Sequence, residues 1–337
     1  MNSATVRNAT ASLTTVSPLL EVANLKRTFS VASGSRFGGR QKINAIEDVS
    51  YHVDPHETVA LVGESGCGKS TTGLATLRLI EPTAGTVRFE DTDFLALSGK
   101  ALRAARADTQ IVLQNPRSQL NPRMAIKNSI AEPLRAHHSG SRAEIKTRVL
   151  ECLELVGLSR SFADRFPHQI SGGQRQRVSI ARAISTNPKL IVLDEAVSAL
   201  DISVQTQVLN LLLDLQQRLG VSYLFISHSM ATVKYLADRV VVMYLGRDVE
   251  SAPAADFFES PAHPYSNALL SAVPSPRVGE KRERIILSGD VPSPFNVPSG
   301  CVFRTRCPRA QPICSTVVPE RRQIAPGRTV ACHFPLI

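Results

Sequence analysis

One segment of the chain has the residue types and spacing of a phosphate-binding loop. It fits the pattern G-x-x-x-x-G-K-[ST] and reads Gly63-Glu64-Ser65-Gly66-Cys67-Gly68-Lys69-Ser70. Glycines let backbone N–H groups turn toward a phosphate, Lys69 would neutralise the β- and γ-phosphates of a nucleotide, and Ser70 would bind Mg²⁺. A Gly-rich turn that binds nothing is the alternative. The motif alone does not separate kinases, GTPases and ATPases.

The residues on either side of this loop predict the strand and the helix that it requires. Thr58–Val62 is a β-branched apolar run typical of a buried parallel strand, and the chain from Thr71 to Ile80 is predicted to continue as a helix. The N-terminus of a helix also provides a favourable dipole for negative charge. The loop therefore lies in the context in which such loops bind phosphate.

A second apolar strand ends in two adjacent acids. Leu190–Leu193 is followed by Asp194 and Glu195. Because side chains alternate along a strand, the two carboxylates point in different directions and can do different jobs. Asp194 suits the Mg²⁺ shell, and Glu195 suits the general base that polarises an attacking water. The alternative is that the two acids only cap the next helix.

With these two motifs in place, the chain resembles the ATP-binding cassette (ABC) ATPases from about Leu19 to His263. The family's signature motif is matched between the P-loop and the acidic strand end, by Ile170-Ser171-Gly172-Gly173-Gln174. The resemblance implies that the last four residues of this motif bind the γ-phosphate of ATP held by the opposite subunit. An isolated S-G-G-Q would more simply indicate a helix N-cap.

Smaller elements of the family follow in the same order along the chain. The resemblance implies that Phe29 stacks on adenine, and that Gln114 touches Mg²⁺ and links the core to a helical subdomain. It also implies that the loop ending at Asp201 senses the partner subunit, and that His228 contacts the γ-phosphate. Glu195, His228 and Gln114 are therefore the residues that we expect to be catalytic. Thr71, directly after the P-loop, is assigned to the nucleotide as well. Each of these residues alone is equally typical of an ordinary strand or surface position.

The resemblance implies an α/β P-loop fold with a RecA-like core, an antiparallel β subdomain, a helical subdomain and a small irregular C-terminal extension. We expect a disordered tail over residues 1–18, the ABC ATPase domain over 19–262 with its helical subdomain at about 99–186, and the extension over 263–337. The 337 residues carry one P-loop and one signature. Because the family's site is shared between two subunits, we expect a second, homologous ATPase chain and favour a heterodimer.

The composition limits the partners of such an ATPase. The net charge is +10, with the excess of bases near the two ends, and no apolar run approaches the ~18 to 20 residues that span a bilayer. A basic surface suits anionic lipid or nucleic acid. Since no basic groove interleaved with aromatic residues is present, we expect a membrane surface nearby and no nucleic acid. We also expect the protein to be soluble by itself.

Beyond His263 the composition shifts to Pro, Ser and Arg. This part includes Pro261–Ser266 and Pro298–Phe303 and resembles the C-terminal extension of the dipeptide/oligopeptide importer ATPases, a group that also includes nickel and glutathione importers. The resemblance implies a subunit that hydrolyses ATP to drive peptide import at the cytoplasmic face of the bacterial inner membrane. Its implied partners are two transmembrane permease subunits and an extracytoplasmic substrate-binding protein. Nickel or glutathione import is an alternative, and a soluble ABC ATPase outside transport is a remote one.

Four of the six cysteines lie in this extension with the spacing C-x5-C-x6-C-x17-C: Cys301, Cys307, Cys314 and Cys332. A cytoplasmic compartment disfavours structural disulfides, and zinc would normally show a C-x2-C knuckle. Four thiolates surrounded by Arg304, Arg306 and Arg309 suit an anionic iron-sulfur cluster, and members of the resembled family can carry one here. We therefore expect a 4Fe-4S cluster, with free thiols, zinc or a disulfide as alternatives.

Overall fold

The computed structural model describes residues 17–32, 40–114, 120–273 and 285–337. Most of the tail predicted over residues 1–18 and the segment directly after Gln114 lie outside the described residues. Within them, strands and helices are interspersed as far as Ser271, and a mostly irregular segment follows. This is the α/β class that the sequence predicts.

Twelve strands lie in the described part of the chain and form one connected sheet. In chain order they are β1 (Leu20–Ala32), β2 (Arg40–Val53), β3 (Thr58–Val62), β4 (Ala84–Phe89), β5 (Thr92–Asp93), β6 (Thr109–Val112), β7 (Leu190–Asp194), β8 (Ser222–Ile226), β9 (Arg239–Tyr244), β10 (Arg247–Pro253), β11 (Arg322–Ala325) and β12 (Arg328–Val330). Their order across the sheet is β5-β4-β1-β2-β10-β9-β3-β8-β7-β6, and β12 pairs with both β10 and β11.

Five neighbouring strands, β9, β3, β8, β7 and β6, run parallel and form the centre of the molecule. Every residue of β3, β7 and β8 is buried. Along β3, Ala60 and Val62 face one hydrophobic core, whereas Val59 and Leu61 face the other, so the sheet is covered on both sides. Because parallel strands end at the same edge, the residues that follow β3, β6, β7 and β8 lie close together.

The N-terminal part of the sheet is antiparallel. β1 pairs with both β2 and β4, and β4 pairs with β5. Leu25 of β1, Ile46 of β2 and Val87 of β4 are fully buried and belong to the same core as Val59 and Leu61. This shared core joins the antiparallel part to the parallel centre, as expected for an antiparallel β subdomain.

Helices connect the parallel strands and pack on both faces of the sheet. In chain order those described are α1 (Lys69–Thr76), α2 (Gly99–Asp108), α3 (Ile126–Ala136), α4 (Arg142–Leu155), α5 (Gly172–Ile184), α6 (Ile202–Leu219), α7 (Met230–Leu236), α8 (Ala254–Glu259), α9 (Pro264–Ser271) and α10 (Ile313–Thr316), with 3₁₀ turns at Arg160–Asp164 and Pro167–Gln169. α3, α4 and α5 pack against one another before the chain enters β7. No described helix combines the length and the apolar character needed to cross a membrane.

The C-terminal extension returns to the main sheet. β12 pairs with β10 through Glu250 and Val330, and Arg328 donates to the Ser260 carbonyl at 2.6 Å. Phe303 is fully buried within the larger of the two cores. The extension is therefore packed against the ATPase part of the chain, on the side of β9 and β10.

Candidate functional site

The P-loop connects β3 to α1 and closes around a lysine. Lys69 is only 5% exposed, and its Nζ donates to the carbonyl oxygens of Gly63 and Glu64, each at 2.9 Å. The loop therefore fixes one positive charge at the N-terminus of α1. A phosphate placed there would meet both this ammonium and the positive end of the helix dipole.

Two glycines of the loop are required by close backbone approaches. A Cβ on Gly63 would lie 2.2 Å from the carbonyl oxygen of Met243, and a Cβ on Gly68 would lie 2.2 Å from that of Ala45. Gly68 also has a positive φ of 104°. Any larger residue would push the loop away from β9 and β2, so the motif's glycines follow from packing within the chain.

Two of the three predicted Mg²⁺ ligands, Ser70 and Asp194, lie side by side. The hydroxyl of Ser70, at the start of α1, donates to Oδ1 of Asp194, at the end of β7, at 2.8 Å. Burial raises the pKa of Asp194, the neighbouring Glu195 charge raises it further, and the Ser70 bond and Lys69 lower it. A divalent cation bound between these oxygens would favour the ionised carboxylate.

Glu195 is held by its backbone in an uncommon conformation. Its φ is +46°, in the left-handed region that few residues other than glycine adopt. Its N–H donates to the carbonyl of Ile226 on β8 at 3.0 Å. Such strain persists only where surrounding contacts impose it, and it is concentrated at functional sites. With this backbone, the Glu195 carboxylate contacts Gln114 and His228.

The three residues predicted to be catalytic meet at the ends of β6, β7 and β8. Gln114 donates through Nε2 to one carboxylate oxygen of Glu195 at 2.6 Å, and His228 Nδ1 lies 3.3 Å from the other. The Glu195 side chain is 17% exposed, whereas that of His228 is 58% exposed. The carboxylate is thus partly withdrawn from solvent and oriented from both sides, as a general base requires.

The signature motif forms the start of α5. Ser171 is the N-cap, its hydroxyl accepts from Gln174 N–H at 3.3 Å, and Gln174 Oε1 accepts from Ser171 N–H at 3.0 Å, which makes a capping box. A Cβ on Gly173 would lie 2.5 Å from Val204 Cγ1, whereas a Cβ on Gly172 would have its nearest neighbour at 3.9 Å. Ser171 is exposed. The motif is thus at the surface, where a second molecule can reach it.

The remaining predicted nucleotide ligands lie in different surroundings. Ser65 and Gly66 are exposed at the loop tip, Cys67 is buried beneath it, and Thr71 is half-buried on α1. Asp201, the N-cap of α6, is exposed.

Phe29 lies on β1 opposite Ile43 of β2. The Arg27 guanidinium lies 4.6 Å from the centroid of the Phe29 ring. One face of this ring is therefore covered by a cation, and the other is the one that a purine could use.

The prediction of an iron-sulfur cluster is wrong. Among residues 17–32, 40–114, 120–273 and 285–337, no three His, Cys, Asp or Glu side chains are arranged to hold a metal ion. Cys301 and Cys314 instead belong to the hydrophobic core, and all the cysteines are free thiols. Burial raises the pKa of Cys301, of Cys307 and of Cys332, the last to about 11. The surroundings therefore favour protonated thiols over the thiolates that a cluster needs.

The arginines that were expected to balance a cluster's charge bond to other groups. Arg304 donates to the carbonyl of Ser299 at 2.8 Å, and Arg309 NH1 lies 3.5 Å from a carbonyl near the C-terminus. Arg306 reaches Glu64 in the P-loop. The spacing of four cysteines among arginines was thus a misleading signal.

The contact between Arg306 and Glu64 was not predicted from the sequence. The two residues are 242 positions apart, and no local pattern relates them. Tyr265, at the start of α9, is a second such contact, because its hydroxyl accepts from Glu64 N–H at 2.8 Å. The extension therefore touches the site directly.

Comparison with known proteins places these features in a family. The family model described as ABC transporter matches residues 46–198, and the one described as oligopeptide/dipeptide transporter, C-terminal region, matches residues 249–314. The putative oligopeptide transport ATP-binding protein YkfD of Bacillus subtilis is 47% identical over 320 residues, which cover 94% of this chain and 95% of that protein. A putative peptide import ATP-binding protein of Brucella ovis is 48% identical over 318 residues, covering 94% and 98%.

Solved structures agree with the fold. The ATP-binding cassette MJ0796, solved as a dimer bound to ADP and Pi, superposes with a TM-score of 0.62 at 28% identity and covers 70% of this chain and 98% of its own. CbiO1 from Clostridium perfringens superposes with a TM-score of 0.61 at 25% identity, covering 72% and 90%. Together with the P-loop, the acidic strand end and the signature helix, these similarities show that the chain belongs to the ABC transporter family, as an ATP-binding subunit with an oligopeptide/dipeptide transporter C-terminal region.

Proposed function

We propose that this chain is the subunit that hydrolyses ATP to drive peptide import through an ABC transporter. The observation that carries the proposal is the meeting of Gln114, Glu195 and His228 beside the P-loop, at the common edge of three parallel strands. The relatives named for oligopeptide transport or peptide import align along 94% of the chain, including its C-terminal region. Peptide is therefore the cargo that we propose, ahead of nickel or glutathione.

The P-loop residues Gly63 to Ser70, with Thr71, bind the phosphates of ATP, and Phe29 stacks on the adenine. Ser70, Asp194 and Gln114 would hold Mg²⁺, which would neutralise charge on the β- and γ-phosphates. The existing bond between Ser70 and Asp194 supports this placement.

Hydrolysis needs a water in line with the γ-phosphate. Glu195 takes a proton from that water while the water oxygen bonds to the γ-phosphorus, and the bond from phosphorus to the bridging oxygen breaks, which releases ADP and phosphate. Gln114 and His228 orient the carboxylate, and His228 also donates to the γ-phosphate. The other side of that phosphate is bound by the signature motif of the second ATPase. In turn, Ser171 to Gln174 of this chain, with its loop at Asp201, bind the nucleotide that the partner holds.

The chain works with a second, homologous ATPase, two transmembrane permease subunits and an extracytoplasmic substrate-binding protein, at the cytoplasmic face of the membrane. Residues 19–262 form the ATPase domain, the helices within about 99–186 form the subdomain that meets the permeases, and 263–337 form the extension. ATP favours the closed pair of ATPases and hydrolysis reopens it, so the nucleotide shifts the transporter between two states.

Uptake by cells that carry Lys69→Ala in this subunit tests the proposal. We expect these cells to lose uptake of labelled dipeptide and to keep uptake of nickel, because removing the ammonium removes its contact with the phosphates. Lys234→Ala, which alters an exposed lysine of α7, is the matched control and should leave uptake unchanged. Loss of nickel uptake alone would show a different cargo. Intact uptake of both would contradict the proposed role.

A further inference from the structure

The extension places a buried arginine against the P-loop. Arg306 is 9% exposed, and its guanidinium makes two hydrogen bonds to the Glu64 carboxylate, NH1 to Oε2 at 2.6 Å and NH2 to Oε1 at 3.1 Å. Paired bonds of this kind fix orientation as well as distance, and the charges make them stronger than neutral hydrogen bonds. Because the Glu64 side chain is 26% exposed, the pair is mostly withdrawn from solvent.

Glu64 is held through all of its polar groups. Arg306 holds the carboxylate, the Tyr265 hydroxyl accepts from the backbone N–H at 2.8 Å, and the backbone carbonyl accepts from Lys69 Nζ at 2.9 Å. A movement of Arg306 or Tyr265 would therefore move the carbonyl that fixes the ammonium of Lys69. The extension is connected to the phosphate-binding lysine through one residue.

Aromatic packing makes this connection rigid. The rings of Tyr244, Tyr265 and Phe303 lie with centroids 4.8 to 5.3 Å apart, and all three side chains are fully buried. Tyr244 belongs to β9, Tyr265 to α9 and Phe303 to the extension, three residues before Arg306. Contacts at these distances are favourable beyond the burial of area. They hold the Arg306 segment and α9 in one position relative to the P-loop.

Arg306 is not needed to attach the extension to the rest of the chain. β12 is already paired with β10, Arg321 bonds to the buried Asp248, and Arg328 lies 3.7 Å from the buried Glu250. These contacts join the same two parts of the molecule away from the P-loop. A purely anchoring role for Arg306 would duplicate them.

We propose that Arg306 and Tyr265 are positioning residues for ATP binding, which act through Glu64 to hold the P-loop and Lys69 ready for phosphate. This inference rests on the proposed binding of ATP at the P-loop. A preorganised loop loses less conformational freedom when the nucleotide binds, so the affinity for ATP is higher. Through Arg306 and Tyr265, the extension thereby influences the ATP affinity of the P-loop site.

The test compares Arg306→Gln with Arg304→Gln in the full-length chain. Arg304 is two residues away and bonds to Ser299 inside the extension, so it is a matched control. We expect Arg306→Gln to weaken binding of a fluorescent ATP analogue by roughly tenfold, because the P-loop loses two charge-assisted hydrogen bonds and with them part of its preorganisation. Arg304→Gln should bind like the wild type. In the assembled transporter, KM for ATP should rise by a similar factor, with kcat changed less than about twofold.

Two further variants separate positioning from loss of structure. Arg306→Lys keeps the charge but not the paired bonds, so its ATP affinity should lie between those of the wild type and Arg306→Gln. Tyr265→Phe removes only the acceptor of the Glu64 N–H and should weaken ATP binding severalfold, with an unchanged circular dichroism spectrum. If Arg306→Gln or Tyr265→Phe binds ATP as tightly as the wild type, the proposed positioning role of these residues is wrong. A wild-type chain that does not bind ATP would instead contradict the proposed function itself.

Discussion

Glu195 shows how much of the proposed chemistry depends on single residues. Its positive φ, its backbone bond to Ile226 and its two side-chain partners, Gln114 and His228, come from β7 and the ends of its neighbouring strands. The carboxylate can therefore be oriented before any substrate binds. Preorganisation of this kind lowers the cost of reaching the transition state.

Replacing Glu195 with Gln should lower ATP turnover by about 10² to 10⁴, because the amide cannot accept the water's proton. ATP binding should be unchanged, since the P-loop is untouched. The measurement is ATP hydrolysis by the assembled transporter, with ATP binding measured in parallel. Glu259→Gln, at an exposed position on α8, should behave as the wild type. Undiminished hydrolysis by Glu195→Gln would exclude this residue as the base.

His263 should make the stability of the protein sensitive to acid. It is 1% exposed, and its Nδ1 accepts from Tyr265 N–H at 3.0 Å at the start of α9. Burial lowers its pKa from 6.5 to about 3. The unfolded chain therefore binds a proton between pH 6.5 and 3 that the folded chain does not, so stability falls as the pH falls through this window.

From pH 7 to pH 5, His263 should reduce the free energy of unfolding by about 2 kcal/mol. Urea unfolding of the wild type and of His263→Asn at both pH values measures this contribution. Asn can still cap the helix but does not titrate, so the difference between the two pH values should shrink by about that amount. An identical pH dependence in both proteins would show that protonation of His263 does not lower the free energy of unfolding.

At the scale of elements, the local sequence predicts the positions of strands and helices well where one residue pattern dominates a segment. The apolar run Thr58–Val62 is β3 with the predicted bounds, and the predicted apolar strand Leu190–Leu193 is part of β7. Ser141 and Glu144, at the three-residue spacing typical of a capping box, form one at the start of α4. α1 is shorter than predicted and ends at Thr76, because Arg78 has a φ of +50° and bonds to Glu81.

Such local patterns do not predict contacts between residues that are far apart in the sequence. The sequence places Arg306 among cysteines, and its charge suggested a cluster, whereas folding brings it to Glu64. The cysteine spacing could not reveal that two of these thiols join the hydrophobic core. By contrast, the meeting of Gln114, Glu195 and His228 follows from parallel strands that end at one edge. The candidate site was therefore more predictable than its connection to the extension.

The two glycines of the signature helix should respond differently to alanine. Gly173→Ala would bring a methyl group within 2.5 Å of the stiff side chain of Val204 on α6, so we expect a loss of about 1 to 3 kcal/mol of stability. Gly172→Ala meets nothing closer than 3.9 Å and should change stability by less than about 0.5 kcal/mol.

Denaturant unfolding of both variants measures the difference. If the partner's nucleotide approaches Gly172 closely, Gly172→Ala should nevertheless lower ATP hydrolysis by the assembled transporter by roughly tenfold or more. A stable Gly172→Ala protein with full activity would mean that no ligand approaches this residue. Equal destabilisation by the two substitutions would contradict the close packing of Gly173, but not Gly172, against a neighbouring side chain.

At the scale of the whole molecule, one chain holds both halves of a site that it is proposed to share. Lys69, Ser70, Asp194 and Glu195 lie together, while Ser171 is exposed at the start of α5. Beside Asp201, Ile202 is 83% exposed. A large apolar side chain in this position is explained if a second ATPase covers it.

Ile202→Glu should therefore impair association without harming the fold, because it places a charge where the partner packs. Ile286 in the extension is also 83% exposed, so Ile286→Glu is a matched control. We expect Ile202→Glu to lower ATP hydrolysis at least about tenfold while ATP binding and thermal unfolding stay at wild-type values, and Ile286→Glu to have no effect. Sedimentation of this chain with its ATPase partner and ATP should show less dimer for Ile202→Glu alone. If both variants hydrolyse ATP normally and hydrolysis per chain does not change on dilution, a single chain is sufficient for hydrolysis. The proposal that two chains share the site would then be wrong.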